Sequence, residues 1–329
     1  MDVQEQIRAI RQAANGYKLS RVLITAEELG VFEAVEDAPA DIRTIAARLG
    51  VPPARLESLL NVLVGQGILE LAKGKYCISE NFCTLRPSHP ASQNGYLHYA
   101  AAVAERWTGL KAAVHSSEFA SGNFSDITGR DGEAALAFAQ AMDANAKTQA
   151  QYLAGHYEFT GSRILDIGAG AGTYSVTVGK KYGNSSGVLL ELPSMVPITK
   201  RFIEMAGVAE RFEVVAGDYH ESLPGDGYDD VLLCAVVHQE PEAGLRQLLA
   251  LIRSVLRPQG RLFLSSFFLD SSRVSPAFSA MFAVEMLVMV PSGRVYTFEE
   301  MESLLDDCGF RSQNRITEMP GSAGWYVAS

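Results

Sequence analysis

Residues 163–172 read Arg-Ile-Leu-Asp-Ile-Gly-Ala-Gly-Ala-Gly, and this stretch decides the fold. Ile164, Leu165 and Ile167 form an apolar run of strand length. Gly168, Gly170 and Gly172 then alternate with alanines. Glycine lets a backbone turn sharply and approach a ligand with no Cβ in the way. A helical pattern follows to about Tyr182, and a helix N-terminus attracts negative charge. Strand, glycine turn and helix, in that order, open an α/β sheet whose ligand sits at the carboxyl ends of the strands.

Working outward, further strand patterns fall at residues 188–191, 212–216, 230–237 and 261–268. Helical patterns at 196–206 and 245–256 separate them, the second stopping before Pro258-Gln259-Gly260. Thr297 with Glu300 three residues on predicts a capped helix to Cys308, and late strands near 311–316 and 325–328 complete seven. The expectation is a doubly wound, Rossmann-like α/β domain over 161–329.

The first 90 residues read differently. A helical pattern over 3–28 breaks at Gly30, and a short helix follows at 31–36. Asp41 caps a helix over 42–49 that Gly50 stops. Pro52-Pro53 opens another over 54–65, and 68–79 reads as a hairpin turning at Lys73-Gly74. This mostly α-helical order is the winged-helix pattern, which serves either DNA binding or dimerisation. The would-be recognition helix carries one Arg and one Glu among leucines and valines, so its apolar face predicts packing rather than base readout. Residues 91–160 form a helical connector with a polar loop at 117–131.

Composition narrows the function classes. A formal net charge of −10 over 329 residues argues against nucleic-acid and anionic-membrane partners. No apolar run is long enough to span a bilayer, and the N-terminus has no secretory h-region. Cys77, Cys83, Cys234 and Cys308 form no CxxC pair, which predicts reduced, mostly buried thiols in a cytoplasmic protein. The histidines show no metal-ligand spacing, so no metal is expected.

Three residues sit where a nucleoside needs them. Glu191 ends the second strand, 21 positions after Gly170, where a carboxylate accepts ribose hydroxyls. Asp218 and Tyr219 follow the third strand, one for an adenine amino group and one for its ring face. The fourth strand is read as running through Ala235-Val236-Val237 to deliver His238. A dinucleotide loop, GxGxxG, needs glycine at 173, where this chain has Thr173. GxGxG suits S-adenosylmethionine (SAM) better, because no pyrophosphate has to rest on the helix; an NAD dehydrogenase is the runner-up.

With these motifs in place, the chain resembles the class I SAM methyltransferases. The segments 163–172, 190–193, 217–219, 237–238 and 293–310 are similar to those of plant-type and bacterial small-molecule O-methyltransferases, the acetylserotonin and caffeate O-methyltransferase-like group. The resemblance covers nearly the whole chain and implies an N-terminal dimerisation domain and a homodimer. It implies a SAM site of Asp166, Gly168, Gly170, Gly172, Glu191, Leu192, Asp218, Tyr219 and Cys234. It also implies His238 as general base, with Trp107, Met142, Phe282 and Glu285 around a small hydrophobic or aromatic substrate.

A histidine titrating near neutrality suits proton removal from a hydroxyl as the methyl moves. The chain departs from the family around that histidine. Gln239-Glu240 follows it in place of Asp-Trp, Cys234 stands in place of a lysine, and Ser266 and Val295 occupy the positions of orienting carboxylates. Glu240 or Glu285 is the expected substitute, although Glu240 also reads as a surface carboxylate. Carbon, nitrogen and sulfur acceptors therefore stay open, as does a SAM fold that has lost transfer. A winged-helix regulator with a ligand domain is the competing class.

Overall fold

A computed structural model describes residues 1–116, 132–290, 292–311 and 313–329. The predicted loop at 117–131 lies outside the described residues. The chain divides into two compact units, Met1–Ala102 and Val103–Ser329.

In the first unit the pattern over 3–28 is two helices, α1 (Val3–Asn15) and α2 (Tyr17–Glu28), separated at Gly16. Next come α3 (Val31–Ala34), α4 (Ile42–Leu49) and α5 (Pro53–Gly65). The Asp41 carboxylate accepts from the amides of Arg43 and Thr44, and Gly50, at φ +67°, ends α4. Strands β2 (Leu69–Ala72) and β3 (Lys75–Ile78) form the hairpin. Sequence reading missed a two-residue strand, β1 (Ala40–Asp41), which pairs with β3. It is too short to show a period. Leu56, Leu60 and Leu63 turn the apolar face of α5 into this unit's core, together with Phe32, Ile45 and Tyr76.

The second unit is built on seven strands in the order β6-β5-β4-β7-β8-β10-β9. They are β4 (Arg163–Ile167), β5 (Ser186–Glu191), β6 (Phe212–Ala216), β7 (Tyr228–Cys234), β8 (Leu256–Ser266), β9 (Gln313–Ile316) and β10 (Gly324–Ala328). Strands β4 to β8 pair in parallel, and β10 runs antiparallel to both β8 and β9. The glycine loop follows β4, next to the centre of the sheet, where the strand order reverses. Helix α6 (Asn94–Trp107) spans the division between the units, and α7 (Leu110–His115), α8 (Gly132–His156), α9 (Thr173–Lys181), α10 (Val196–Met205), α11 (Glu242–Val255), α12 (Ala277–Met289) and α13 (Phe298–Asp307) complete the second. The Thr297/Glu300 capping box is present at the start of α13.

Two strand boundaries correct the sequence reading. The fourth strand of this sheet stops at Cys234 rather than reaching His238, because Ala235 takes a left-handed conformation at φ +57°. His238 therefore rides on a short 3₁₀ turn, Val237–Gln239. The next strand starts at Leu256, five residues before Arg261. Its opening residues bulge out of register, pairing Leu256 with Tyr228 and Arg261 with Asp230. The four cysteines are free, but Cys234 alone is buried.

Candidate active site

The glycine loop carries the geometry its sequence implied. Gly168, Gly170 and Gly172 have φ of +63°, +58° and +70°, conformations that cost an L-residue energy. A Cβ on Gly172 would sit 2.7 Å from Leu189 Cδ2, and one on Gly168 would sit 3.0 Å from Val236 Cγ2. Nothing lies within 4 Å of the corresponding point on Gly170, so the loop is packed at both ends and open in the middle. That opening is a cradle into which a ligand can come against bare backbone.

The cradle is fixed from three sides. Glu191 Oε1 accepts the Gly170 amide at 2.5 Å, and Oε2 accepts the Leu192 amide at 2.9 Å. Thr199, fully buried on α10, donates to the Gly170 carbonyl at 2.6 Å. Thr173 donates to Asp143 Oδ1 at 2.9 Å, and Ala171 packs against Ala135 and Ala139, so α8 is stapled to the loop. Met142 precedes that aspartate and is half-buried. Thr199 and Asp143 escaped the sequence reading, because their roles depend on helices about 30 residues away.

Asp166, beneath the loop, is wholly enclosed and accepts from Ser175 Oγ at 2.6 Å. Burial pushes its pKa up to about 7, against the Ser175 hydrogen bond and aided by nearby Glu191. Burial also raises Glu191, opposed by its two amide donors. Two desolvated carboxylates at one loop suit a ligand bearing hydroxyl donors and positive charge, as SAM does. Cys234, read as a cofactor contact, ends β7, and burial holds its thiol protonated. Ala235 beside it is exposed in spite of its strained backbone, a pairing typical of functional sites.

Asp218 and Tyr219 follow β6 as read, with an additional arrangement. The Tyr219 hydroxyl donates to Glu240 Oε1 at 2.7 Å, and its ring lies 4.4 Å from that of His220. His220 lies between Asp218 and the same Glu240 oxygen. Glu240 is thus only 3% exposed, which corrects the reading of it as a surface carboxylate. Its donors lie 20 and 21 positions upstream, beyond any local pattern.

His238 is buried, and burial pushes its pKa down to about 4. Its Nδ1 lies 3.4 Å from Ser266 Oγ, so a hydroxyl takes the place where the family's orienting carboxylate was missed. The His238 carbonyl accepts the Arg294 amide at 2.9 Å, tying the turn to the loop after α12. Phe282 on α12 meets the imidazole edge-on, 4.9 Å away at 88°, and packs with Phe267 and Phe278. Glu285 lies one turn beyond Phe282, half-buried, with its pKa raised by burial. Trp107, at the end of α6, is half-buried. Its neighbour Arg106 donates to the Met289 carbonyl at the end of α12. Among the described residues no cluster of metal-ligating side chains is present.

The O-methyltransferase domain family matches residues 96–311, and the O-methyltransferase dimerisation domain matches residues 11–85. The chain belongs to the O-methyltransferase domain family and is a SAM-dependent O-methyltransferase. It is similar to the mitomycin biosynthesis 6-O-methyltransferase of Streptomyces lavendulae, with 26% identity over 90% of this chain and 87% of the other. It is 28% identical to the 3-hydroxy-5-methyl-1-naphthoate 3-O-methyltransferase of Streptomyces sahachiroi, over 94% and 92% of the two chains. The crystal structure of human N-acetylserotonin methyltransferase in complex with SAM shares the fold, with a TM-score of 0.87, 24% identity and coverage of 100% and 98%.

Proposed function

We propose that the acceptor is a small, flat, hydrophobic or aromatic molecule methylated at a hydroxyl, with His238 as general base. The observation that carries this reading is the setting of His238, with Ser266 Oγ near Nδ1 and the edge-on ring of Phe282 beside it. An Nδ1 proton given to Ser266 leaves Nε2 free to accept the proton of a hydroxyl. The phenylalanines at 267, 278 and 282 offer an aromatic wall, as a flat acceptor requires. Trp107, Met142 and Glu285 belong to the same acceptor region in this reading.

The SAM site comprises Asp166, the three loop glycines, Glu191, Leu192, Asp218, Tyr219 and Cys234. Glu191 spends two acceptor positions on backbone amides and keeps two for ribose hydroxyls. Bound there, SAM supplies an electrophilic methyl group on a sulfonium. The residues of this chain place the acceptor oxygen in line with it and take up its proton.

Replacing His238 with Gln, with SAM affinity measured separately, tests the base. Turnover should fall by about 10²–10⁴-fold with SAM binding within a few-fold. Turnover within a few-fold of the parent overturns the role. A screen of aromatic hydroxy compounds with labelled SAM, followed by mass localisation of the methyl group, tests the acceptor class. One observation favours a second reading. An imidazole with pKa near 4 is a weak base, so a nitrogen, carbon or sulfur nucleophile needing little proton removal also suits the site.

The functional division proposed is dimerisation by residues 1–90, substrate contact by 91–160 and catalysis by 161–329. We assign the winged-helix-like unit to homodimer formation, not to nucleic acid. Helix α1 buries none of its residues and exposes Val3, Ile7 and Ile10, an apolar stripe fitted to a second copy. No helix among the described residues is long and apolar enough to cross a membrane, and the protein is assigned to the cytoplasm.

A further inference from the structure

We propose that His220 is a positioning residue that clamps Asp218 to the buried carboxylate of Glu240, making SAM affinity depend on the charge of a histidine. The proposal rests on the reading of Asp218 as the adenine acceptor.

His220 bridges two carboxylates. Its Nδ1 lies 2.6 Å from Asp218 Oδ1, and its Nε2 lies 2.9 Å from Glu240 Oε1. The His220 amide donates to the same Asp218 oxygen at 2.9 Å. Ionised carboxylates only accept, so both ring contacts are hydrogen bonds only when both nitrogens carry protons. Two ring nitrogens facing two carboxylates is the geometry that an imidazolium fits. Burial opposes that charge, but Asp218 and Glu240 outweigh it and raise the His220 pKa. Among the described residues, these two carboxylates and the tilted phenol ring of Tyr219 are the titratable groups that face it.

Glu240 is the fixed end of the clamp. Its carboxylate is buried and takes a second proton donor from Tyr219, and its carbonyl accepts the Tyr296 hydroxyl at 2.8 Å. A buried carboxylate is costly unless donors surround it, so the position is over-determined. Asp218 is the adjustable end, partly exposed on the loop after β6. Holding its Oδ1 fixes the carboxylate and leaves Oδ2 for the donor of a ligand. The sequence departures noted above thereby acquire a use: Glu240, where the family has Trp, is the anchor for a histidine 20 residues upstream.

The imidazole is 54% exposed, so water and salt screen it and the effect is modest. The test is SAM affinity by calorimetry at pH 6 and pH 9, with kcat and KM, on the full chain. The parent should lose roughly three- to tenfold in affinity between pH 6 and pH 9, as the imidazolium loses its proton. His220→Gln should start at the weaker level at pH 6 and lose less affinity than the parent by pH 9, the remainder belonging to Asp166, with kcat at saturating SAM little changed. Combining it with Glu240→Gln should cost no more than the larger single substitution. A parental pH profile in His220→Gln overturns the clamp, even if the variant melts at a lower temperature. Costs that multiply in the double variant overturn it too. Asp218→Asn separates the two readings. If it binds SAM normally, the adenine role of Asp218 fails and the clamp with it. If it binds weakly while His220→Gln does not, the clamp alone fails.

Discussion

The carboxylate of Glu191 holds the amide of Gly170, with Oε1 2.5 Å from the nitrogen, so the end of the second strand and the middle of the glycine loop move as one piece. A residue read as a ribose acceptor is also the brace of the loop. Replacing Glu191 with Gln turns one accepting oxygen into a donor facing a donor. Hydrogen bonds to a charged group are worth about 1.5–3 kcal/mol, so SAM affinity should fall roughly 10- to 100-fold by calorimetry. A change below twofold contradicts both roles.

Thr199 braces the other side of the same glycine. Thr199→Val keeps the shape of the side chain and removes the donor to the Gly170 carbonyl. The loss of one neutral hydrogen bond costs about 1 kcal/mol, so SAM Kd should rise roughly fivefold with the fold retained. An unchanged Kd with a lowered melting temperature would make Thr199 a purely structural residue.

Asp166 gives a pH signature. Its pKa rises from 3.8 to about 7 on folding, through burial first and Glu191 in addition, against the bond from Ser175. The fold therefore holds this proton more tightly than the unfolded chain does. The resulting stabilisation is complete below pH ~4 and is lost as pH climbs towards about 7. Asp166→Asn keeps an acceptor for Ser175 and removes the titration. The ligand-free variant should gain on the order of 2–4 kcal/mol over the parent at pH 8 and nothing at pH 4, read from urea midpoints. Equal stability of the two proteins at both pH values would show that Asp166 is not desolvated.

The proposed base role of His238 predicts where the acid limb of catalysis falls. With a pKa near 4 the imidazole is neutral and able to accept a proton throughout the ordinary range. At saturating SAM, kcat/KM for the acceptor should therefore be flat from pH 5 to 8 and fall only as pH drops towards about 4. Ser266→Ala removes the hydroxyl beside Nδ1 and should lower kcat by roughly 3- to 30-fold with SAM binding unaltered. An acid limb near pH 6.5 would place His238 in water.

The sheet beneath the site tolerates no extra carbon where β4 and β5 meet. A Cβ on Gly187 would press into the carbonyl oxygen of Ile164 on the neighbouring strand. The partner is backbone, so relief requires moving β4 itself. Gly187→Ala should destabilise the protein by about 1–3 kcal/mol, read from the melting temperature.

The candidate site was legible in proportion to how local its logic is. Gly168, Gly170 and Gly172 announce themselves, because a positive φ is a property of one residue and its neighbours. The caps at Asp41 and Thr297 are legible for the same reason, since donor and acceptor lie within three residues. Ser266 was placed near His238 only through the family resemblance, because 28 positions separate them and the pairing of β7 with β8 brings them together. The strand end at Cys234 was missed because Ala235, a residue with no preference for a left-handed backbone, adopts one there.

The sequence by itself determined the seven strands, the place of the loop at the carboxyl edge of the sheet and the type of cofactor. These follow from periodicity, glycine and spacing, which act along the chain. The tertiary structure alone decided that Glu240 is buried, that His220 spans it and Asp218, and that Thr199 and Asp143 brace the glycine loop from two helices. Each of these depends on groups 20 to 30 residues apart meeting at hydrogen-bond distance, and such meetings exist only once the hydrophobic core has fixed where the strands and helices lie.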